Sequence, residues 1–259
     1  STRGAAYHSP MHSRWYKLGL ALGVCWLSAC GPTQTVEDDT LQIAVIPKGT
    51  THEFWRSIHA GAKKAEQELV AEGQKVKIIW KGPLKEDDRD QQIQLVENFT
   101  TRRVDGMVLA PLDAQALVRP VENAQDAGIS VVIIDSGLQS EKYVSFVATD
   151  NLKGGEMAGK FMAEQLGGKG KVILLRYAVG SASTENRENG FLKALEAYPE
   201  IELISSDQYA GPTRETAYQA SQNLLQRFGQ EVDAIFCVNE NSTIGMTKAL
   251  REIGRASGQ

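Results

Sequence analysis

The side chains that could do chemistry stand in short segments that directly follow apolar runs of the chain. Phe54 and Trp55 supply two aromatic rings, Asp135 a carboxylate, Arg187 a guanidinium group and Asn239 an amide. Aromatic rings pack against the C–H surface of a sugar, while charged and amide groups form directed hydrogen bonds with its hydroxyls. This combination of residue types is typical of a site that holds a polyhydroxy ligand.

The elements that must position these residues are predicted by short β-branched runs, each followed by a longer stretch with one apolar face. Strands that are apolar throughout are buried on both faces, and their alternation with helices favours parallel sheets joined by right-handed crossovers. We therefore predict an α/β fold. The main predicted strands are Leu41–Pro47, Val76–Trp80, Gly106–Ala110, Ser130–Asp135, Lys171–Leu175, Ile201–Ser205 and Ala234–Val238.

The alternation of strand and helix changes once, between Ser136 and Asp150, where a polar turn precedes a brief strand at Tyr143–Val147. Two successive units explain this change better than one sheet does. We predict two Rossmann-like lobes with parallel sheets, residues 41–140 and 141–259, with a hinge near the change. A single flavodoxin-like sheet is the alternative.

Ligands of open parallel sheets bind beyond the carboxyl ends of the strands, where loops diverge and helix N-termini direct their N–H groups into the gap. The segments that follow the predicted strands are therefore the candidate binding segments. They are Pro47–Trp55, Ala110–Asp113 and Asp135–Ser136 in the first lobe, and Arg176–Arg187, Asp207–Pro212 and Asn239–Asn241 in the second.

The front of the chain carries the three-part pattern of a secretion signal. A short positive segment from Met11 to Lys17 precedes the apolar stretch Leu18–Leu27, which is too short to span a bilayer as a stable helix. The following Leu-Ser-Ala-Cys resembles a bacterial lipobox. We predict that residues 1–30 are a lipoprotein signal peptide with Cys30 lipidated, and that residues 31–40 are a flexible tether. A signal peptide that contains a cysteine by chance, or a short buried helix, is the alternative.

Composition argues against several classes of protein. The formal net charge is −4 and the isoelectric point about 5.7, and basic residues are not clustered, so nucleic acid is not an expected partner. Cys237 lies in an apolar run, which is typical of a buried hydrophobe. His52 and His59 show no metal-ligand or triad pattern, and Gly180–Ser183 lacks the second glycine of a nucleophile elbow. We expect no catalytic residue, no metal and no cofactor.

Five ordered segments between Leu41 and the end of the chain resemble the ribose-type sugar-binding proteins of bacterial ABC importers. They are residues 43–46 leading to 54–62, then 131–135, 149–155, 187–191 and 234–240. The resemblance implies a type I periplasmic-binding fold, in which two lobes close on a ligand by hinge motion.

The resemblance also implies roles for individual residues. Phe54 and Trp55 correspond to an aromatic pair that sandwiches the sugar, and Asp135 to a carboxylate that binds its hydroxyls. Arg187 and Asn239 correspond to two polar clamps of the second lobe, and Thr149 to a hydroxyl near the hinge. Lys48 and His52 complete the predicted ligand-binding set, in a segment that departs from the family pattern. Ser136 also stands where ribose binders carry an arginine. The pentose identity is therefore open, and Lys48 would suit an acidic or phosphorylated ligand.

These observations predict a monomeric, extracytoplasmic lipoprotein, periplasmic or on the cell surface, that captures a sugar for an ABC permease. A ligand-sensing subunit for a chemoreceptor or histidine kinase is the main alternative. A LacI-like regulator would need a basic helix-turn-helix in place of the leader, and a sugar-modifying enzyme would need catalytic groups.

The family pattern continues beyond Gln259 with a further strand and with segments that return to the first lobe. We therefore expect an incomplete second lobe in this chain, with an unpaired strand edge. Sugar binding is expected to be weaker than in a longer version of the protein.

Overall fold

The computed structural model describes residues 39–255, in which strands and helices alternate. The strands are β1 (Leu41–Ile46), β2 (Val76–Trp80), β3 (Gly106–Leu109), β4 (Ser130–Ile134), β5 (Ser145–Val147), β6 (Lys169–Leu175), β7 (Glu200–Ser205) and β8 (Ala234–Cys237). The helices are α1 (Glu53–Ala71), α2 (Arg89–Thr101), α3 (Val118–Asp126), α4 (Asn151–Gln165), α5 (Ala182–Leu195), α6 (Arg214–Phe228) and α7 (Glu240–Glu252). Every predicted strand is present.

The strands form two parallel sheets, so the predicted two-lobed α/β fold is confirmed and a single continuous sheet is excluded. The first sheet has the order β2-β1-β3-β4-β5 and the second the order β7-β6-β8. The short strand β5 lies in the segment that was predicted to begin the second lobe, but it pairs with β4. Val132 lies opposite Ser145, and Ile134 lies opposite Val147. The first sheet therefore extends beyond residue 140. Within residues 39–255, β8 is paired on one side only.

The order of the strands reverses near the centre of each sheet. In the first sheet the chain passes from β1 outward to β2 and then returns to β3 on the other side of β1; in the second it passes from β6 to β7 and returns to β8. Right-handed crossovers place the helices on either side of such a reversal on opposite faces, which opens a crevice at the carboxyl ends of the central strands. The ends of β1 and β6 therefore mark the expected binding region.

The first sheet has one well-covered face. Residues of β1, β3 and β4 pack there with α2 and α3, and the buried set includes Ala44, Ile46, Met107, Leu109, Val131, Ile133, Val96, Phe99 and Val121. The opposite face is less covered: Val108 and Val132 are half-buried, and α1 buries only Trp55. Val45 on this face is nevertheless buried, so the prediction that both faces are covered holds only in part for this sheet.

The second sheet is covered on both faces. Along β6, Val172 and Leu174 contribute to a cluster that includes Phe191 of α5, whereas Ile173 and Leu175 contribute to a cluster built from α6 and α7. Alternate side chains of a strand point to opposite faces, so one fully apolar strand supplies both clusters. This agrees with the fully apolar sequence of β6.

Helices α4 and α5 approach each other closely through glycines. A Cβ atom added to Gly155 would lie 2.0 Å from the carbonyl oxygen of Arg187, and one added to Gly190 would lie 2.0 Å from the carbonyl oxygen of Leu152. Both distances are far below van der Waals contact, so only glycine permits this approach. The contact determines where α5 lies, and with it the backbone of Arg187.

Several predictions concern residues outside 39–255. These are the signal peptide at 1–30, the lipidation of Cys30, most of the tether at 31–40 and any strand beyond Gln259. Of the helices that the structure describes, none combines the length and the apolar character needed to cross a membrane.

The glycine contact can be tested with Gly155→Ala. The added methyl group collides with the backbone of α5, and overpacking of this kind should lower the free energy of unfolding by about 3 kcal/mol. Gly154→Ala is the matched control, because its Cβ meets nothing within 4 Å and alanine is favoured over glycine in a helix by about 1 kcal/mol. Urea unfolding measures both. Equal stability of the two variants would contradict the proposed role of Gly155.

Candidate functional site

A cavity of about 140 Å³ lies where the carboxyl ends of strands from both sheets come together. Its lining consists of residues that follow β1, β2, β4, β6 and β8, together with the first turns of α1, α5 and α7. The lining residues are Lys48, His52, Phe54, Trp55, Glu86, Asp135, Tyr177, Ser183, Thr184, Arg187, Asn239, Glu240 and Asn241. The cavity therefore lies in the crevice that the strand order predicts.

The structure brings seven of the eight predicted ligand-binding residues to this cavity, and Thr149 is the exception. Thr149 is exposed, and its carbonyl oxygen accepts a hydrogen bond of 3.0 Å from Nδ2 of Asn151. Oδ1 of Asn151 in turn accepts from Nε of Arg187 at 2.9 Å. Helix α4 begins at Asn151, and Asn151, not Thr149, therefore contacts the cavity residue Arg187.

Lys48 is a buried cation at the cavity, with 4% of its surface exposed. Its Nζ donates to Oγ of Ser181 at 3.1 Å and to Oγ of Ser183 at 3.3 Å, and it forms an ion pair of 3.6 Å with Asp135. Burial lowers the pKa of Lys48, and the negative charge of Asp135 opposes this shift. An ammonium group has three N–H donors: two serines of the second lobe accept from it, and Asp135 of the first lobe balances its charge.

Asp135 follows β4 in an unusual backbone conformation, with φ at +62°. Aspartate tolerates this left-handed region better than most residues, and such conformations cluster at functional sites. The turn brings the Asp135 carboxylate to Lys48. The next residue, Ser136, accepts a hydrogen bond of 3.0 Å at its Oγ from the backbone N–H of Ser183, so the same turn also contacts the second lobe.

Two further contacts cross between the lobes. The backbone N–H of Ala114 donates to the carbonyl oxygen of Gly180 at 2.9 Å. The hydroxyl of Tyr177 donates to Oε2 of Glu86. Together with the contacts of Lys48 and Ser136, these hydrogen bonds hold the two rims of the cavity together. Each rim consists of the loops that follow the strands of one sheet.

Phe54 and Trp55 meet edge to face, with ring centroids 4.9 Å apart and planes at 78°. Trp55 is 2% exposed, and its Nε1 donates to Oε1 of Glu86 at 2.5 Å, whereas Phe54 is 45% exposed. The two rings therefore do not form parallel walls on opposite sides of the cavity. Phe54 is the more open ring, and Trp55 lines the cavity as a buried ring.

Glu86 and Tyr177 are cavity residues that the predicted set does not include. The two oxygens of Glu86 accept hydrogen bonds from Trp55 of the first lobe and Tyr177 of the second. Burial, together with the negative charge of Glu86, raises the pKa of Tyr177, which keeps its hydroxyl protonated as a donor. Tyr177 lies in the segment after a predicted strand, and applying the same rule to the loop after β2 would have found Glu86.

Arg187 is held by two acceptors near the start of α5. Besides the bond to Asn151, its Nη1 donates to the carbonyl oxygen of Val238 at 2.6 Å. Burial lowers the pKa of Arg187, and Asp135 opposes this shift. No acceptor for Nη2 is present among residues 39–255, so this donor is available to a ligand.

Asn239 caps α7. Its Oδ1 accepts from the backbone N–H of Ser242 at 3.1 Å in a capping box. His52 stands at the corresponding position before α1 but makes no side-chain capping bond, so its imidazole is not committed to the helix end.

The charges of the cavity are balanced. Lys48 and Arg187 are matched by Asp135 and Glu86, and Glu240 at the rim pairs with Arg214 at 2.5 Å. In the described part of the chain, no three His, Cys, Asp or Glu side chains are grouped so as to hold a metal ion. The site combines one open aromatic surface with fixed donors and acceptors, which suits the binding of a neutral polar molecule.

Comparison with known proteins gives matches over most of the chain. The family profile described as "Periplasmic binding protein domain" matches residues 43–259. The D-allose-binding periplasmic protein of Escherichia coli is 31% identical over 222 residues, which are 83% of this chain and 69% of that protein.

Two further matches show the same likeness. The xylitol-binding protein of Mycolicibacterium smegmatis is 27% identical over 230 residues, which cover 88% of this chain but 63% of that protein. The crystal structure of an ABC transporter solute-binding protein from Agrobacterium vitis with bound D-fucose is 34% identical, with a TM-score of 0.77, and the match covers 83% of this chain and 73% of that one. The chain therefore spans 63% to 73% of the length of these proteins.

The ion pair at the cavity can be tested with Asp135→Asn. Asparagine also tolerates the left-handed backbone, so the change mainly removes the charge that faces Lys48. Leaving a buried cation unpaired should lower the free energy of unfolding by about 3 kcal/mol. Urea unfolding measures the loss. The control is the same substitution in a Lys48→Met background, where it should cost much less; an equal cost in both backgrounds would refute the pairing.

Proposed function

Because the chain belongs to the family of periplasmic binding protein domains, we propose that it is a receptor that captures a neutral sugar or polyol between its two lobes. No bond of the ligand is made or broken. The observation that carries this proposal is the cavity between the strand ends of the two sheets, with Phe54 as an open aromatic surface and polar groups around it.

The polar groups support a ligand with many hydroxyls. Arg187 and Asn239 offer donors, and Asp135 offers a carboxylate acceptor beside the cavity. A hydroxyl can donate and accept at once, so a sugar satisfies both kinds of group without adding charge. The D-allose, xylitol and D-fucose named for the related proteins have this chemistry.

The balance of charge favours a neutral ligand over an acidic one. The ammonium of Lys48 is occupied by Ser181, Ser183 and Asp135. An anion would have to displace Asp135 or compete with its negative charge. The sequence left an acidic or phosphorylated ligand open, and this arrangement argues against it.

We propose that the monomeric receptor presents its ligand to an ABC permease. Hydrogen bonds between the lobes, such as those of Tyr177 with Glu86 and of Ser183 with Ser136, exist only when the rims are close. A ligand held by both lobes stabilises that arrangement relative to an open one. A permease can then distinguish the loaded receptor by the relative placement of the two lobe surfaces.

The leader supports an anchored location outside the cytoplasm. We propose that residues 1–30 are a signal peptide, that Cys30 carries the lipid, and that residues 31–40 tether the lobes to the membrane surface. The two lobes would then be presented to solutes at the periplasmic or cell surface.

Ligand binding can be tested by thermal shift with D-ribose, D-allose, D-fucose and xylitol, and with gluconate and ribose 5-phosphate as acidic comparisons. A ligand that binds only the folded protein raises its unfolding temperature, and we expect a shift from at least one neutral compound and none from the acids. In Phe54→Ala, calorimetric affinity for that compound should fall about tenfold.

Phe161→Ala is the matched control, because Phe161 is 63% exposed on α4 and lies outside the cavity. Its affinity should equal that of the unchanged protein. The proposal fails if no neutral compound shifts the transition, or if the two alanine variants bind equally well.

The lipid anchor can be tested by labelling with an alkyne fatty acid in a bacterial host that matures lipoproteins. The full chain should incorporate the label and sediment with membranes, because the thiol of Cys30 accepts the diacylglycerol. Cys30→Ser should lose the label, whereas Cys25→Ser, which removes the other leader cysteine, should keep it. Labelling that survives in Cys30→Ser would disprove this assignment.

A further inference from the structure

Asn241 is a buried polar residue at the cavity that lies outside the predicted set of ligand contacts. It is 2% exposed and lies in the first turn of α7. Its Nδ2 donates to the carbonyl oxygen of Pro212 at 2.9 Å. Its Oδ1 is buried, and no group within residues 39–255 donates a hydrogen bond to it. A buried acceptor without a donor is unfavourable, so this atom needs a partner.

The chemistry of Pro212 determines which way the Asn241 amide faces. A carbonyl oxygen can only accept, so the amide nitrogen must point toward it; the reversed amide would place two acceptors together. Pro212 does not line the cavity, whereas Asn241 does. The oxygen is therefore the polar atom of this cavity residue that is left without a partner among the described residues.

Asn239 presents the opposite polarity at the start of the same helix. Its Oδ1 accepts from both the backbone N–H and the Oγ of Ser242, at 3.1 Å and 2.7 Å. The amide nitrogen of Asn239 is available as a donor, because the described residues supply no acceptor for it. Two residues apart, Asn239 and Asn241 thus offer one donor and one acceptor, each with its orientation determined by the protein.

We infer that Asn241 is a specificity-determining contact: its Oδ1 accepts a hydrogen bond from a ligand hydroxyl, and Asn239 donates to an adjacent hydroxyl. The inference rests on the proposed function and adds the requirement for a donor at one ligand position. A hydroxyl meets that requirement, but hydrogen and fluorine substituents do not. The site therefore discriminates against a sugar that lacks this hydroxyl.

The test is calorimetric titration of the unchanged protein with the neutral compound that gives the largest thermal shift, and with each of its monodeoxy and monodeoxyfluoro derivatives. At one position, both derivatives should bind about tenfold or more weakly than the parent compound, because each leaves Oδ1 of Asn241 without a donor. In Asn241→Leu, the affinities of the parent and of those derivatives should agree to within about twofold.

Asn189→Leu is the control, since Asn189 is exposed on α5 and lies outside the cavity; it should discriminate as the unchanged protein does. Discrimination that is equal in the unchanged protein and in Asn241→Leu would overturn the inference. If Asn241→Leu does not fold, the unchanged protein decides alone, and the absence of a position sensitive to both derivatives overturns it. Failure of every neutral compound to bind overturns the proposed function itself, and this inference with it.

Discussion

The arrangement of the cavity depends on one buried positive charge. The ammonium of Lys48 is almost fully removed from water, and an isolated charge in such a place would be very unfavourable. Its acceptors come from both sides of the cleft: Asp135 belongs to the first lobe, and Ser181 and Ser183 belong to the second. Satisfying this one cation therefore requires the two rims to be close. The same requirement leaves the cation unavailable to an acidic ligand.

The position of the serines depends on packing remote from the cavity. Ser181 and Ser183 stand at the start of α5, and α5 lies where Gly155 and Gly190 allow it to approach α4. Arg187 is carried by the same helix, so its guanidinium group is placed by the same contact. Gly155 and Gly190 thus control the distances between groups that would contact a ligand. Close-packed interiors transmit such constraints because they have little free volume to absorb a shift.

Much of the fold and part of the site could be predicted, and the exceptions have physical causes. Strands were predictable because burial demands apolar runs, and the rim residues were predictable because parallel strands end at one edge. Glu86 follows β2 and is within reach of the same rule, but its partners could not be predicted, because they come from different lobes and one of them, Tyr177, lies 91 residues away. Thr149 was predicted from a resemblance, but α4 begins in such a way that Asn151 faces Arg187 instead.

The sequence by itself determined the order and type of the elements, the family and the segments that form the rim. Only the tertiary structure decided that Lys48 donates to Ser181 and Ser183, which lie 133 and 135 residues further along the chain, and that Phe54 is open while Trp55 is buried. It also decided that Pro212 accepts from the Asn241 amide nitrogen and leaves the Asn241 oxygen without a donor among the described residues. The reason is the range of the forces involved. Apolar periodicity and helix capping act within one segment and are readable there, whereas a buried charge or amide finds its partner only when distant segments are packed together.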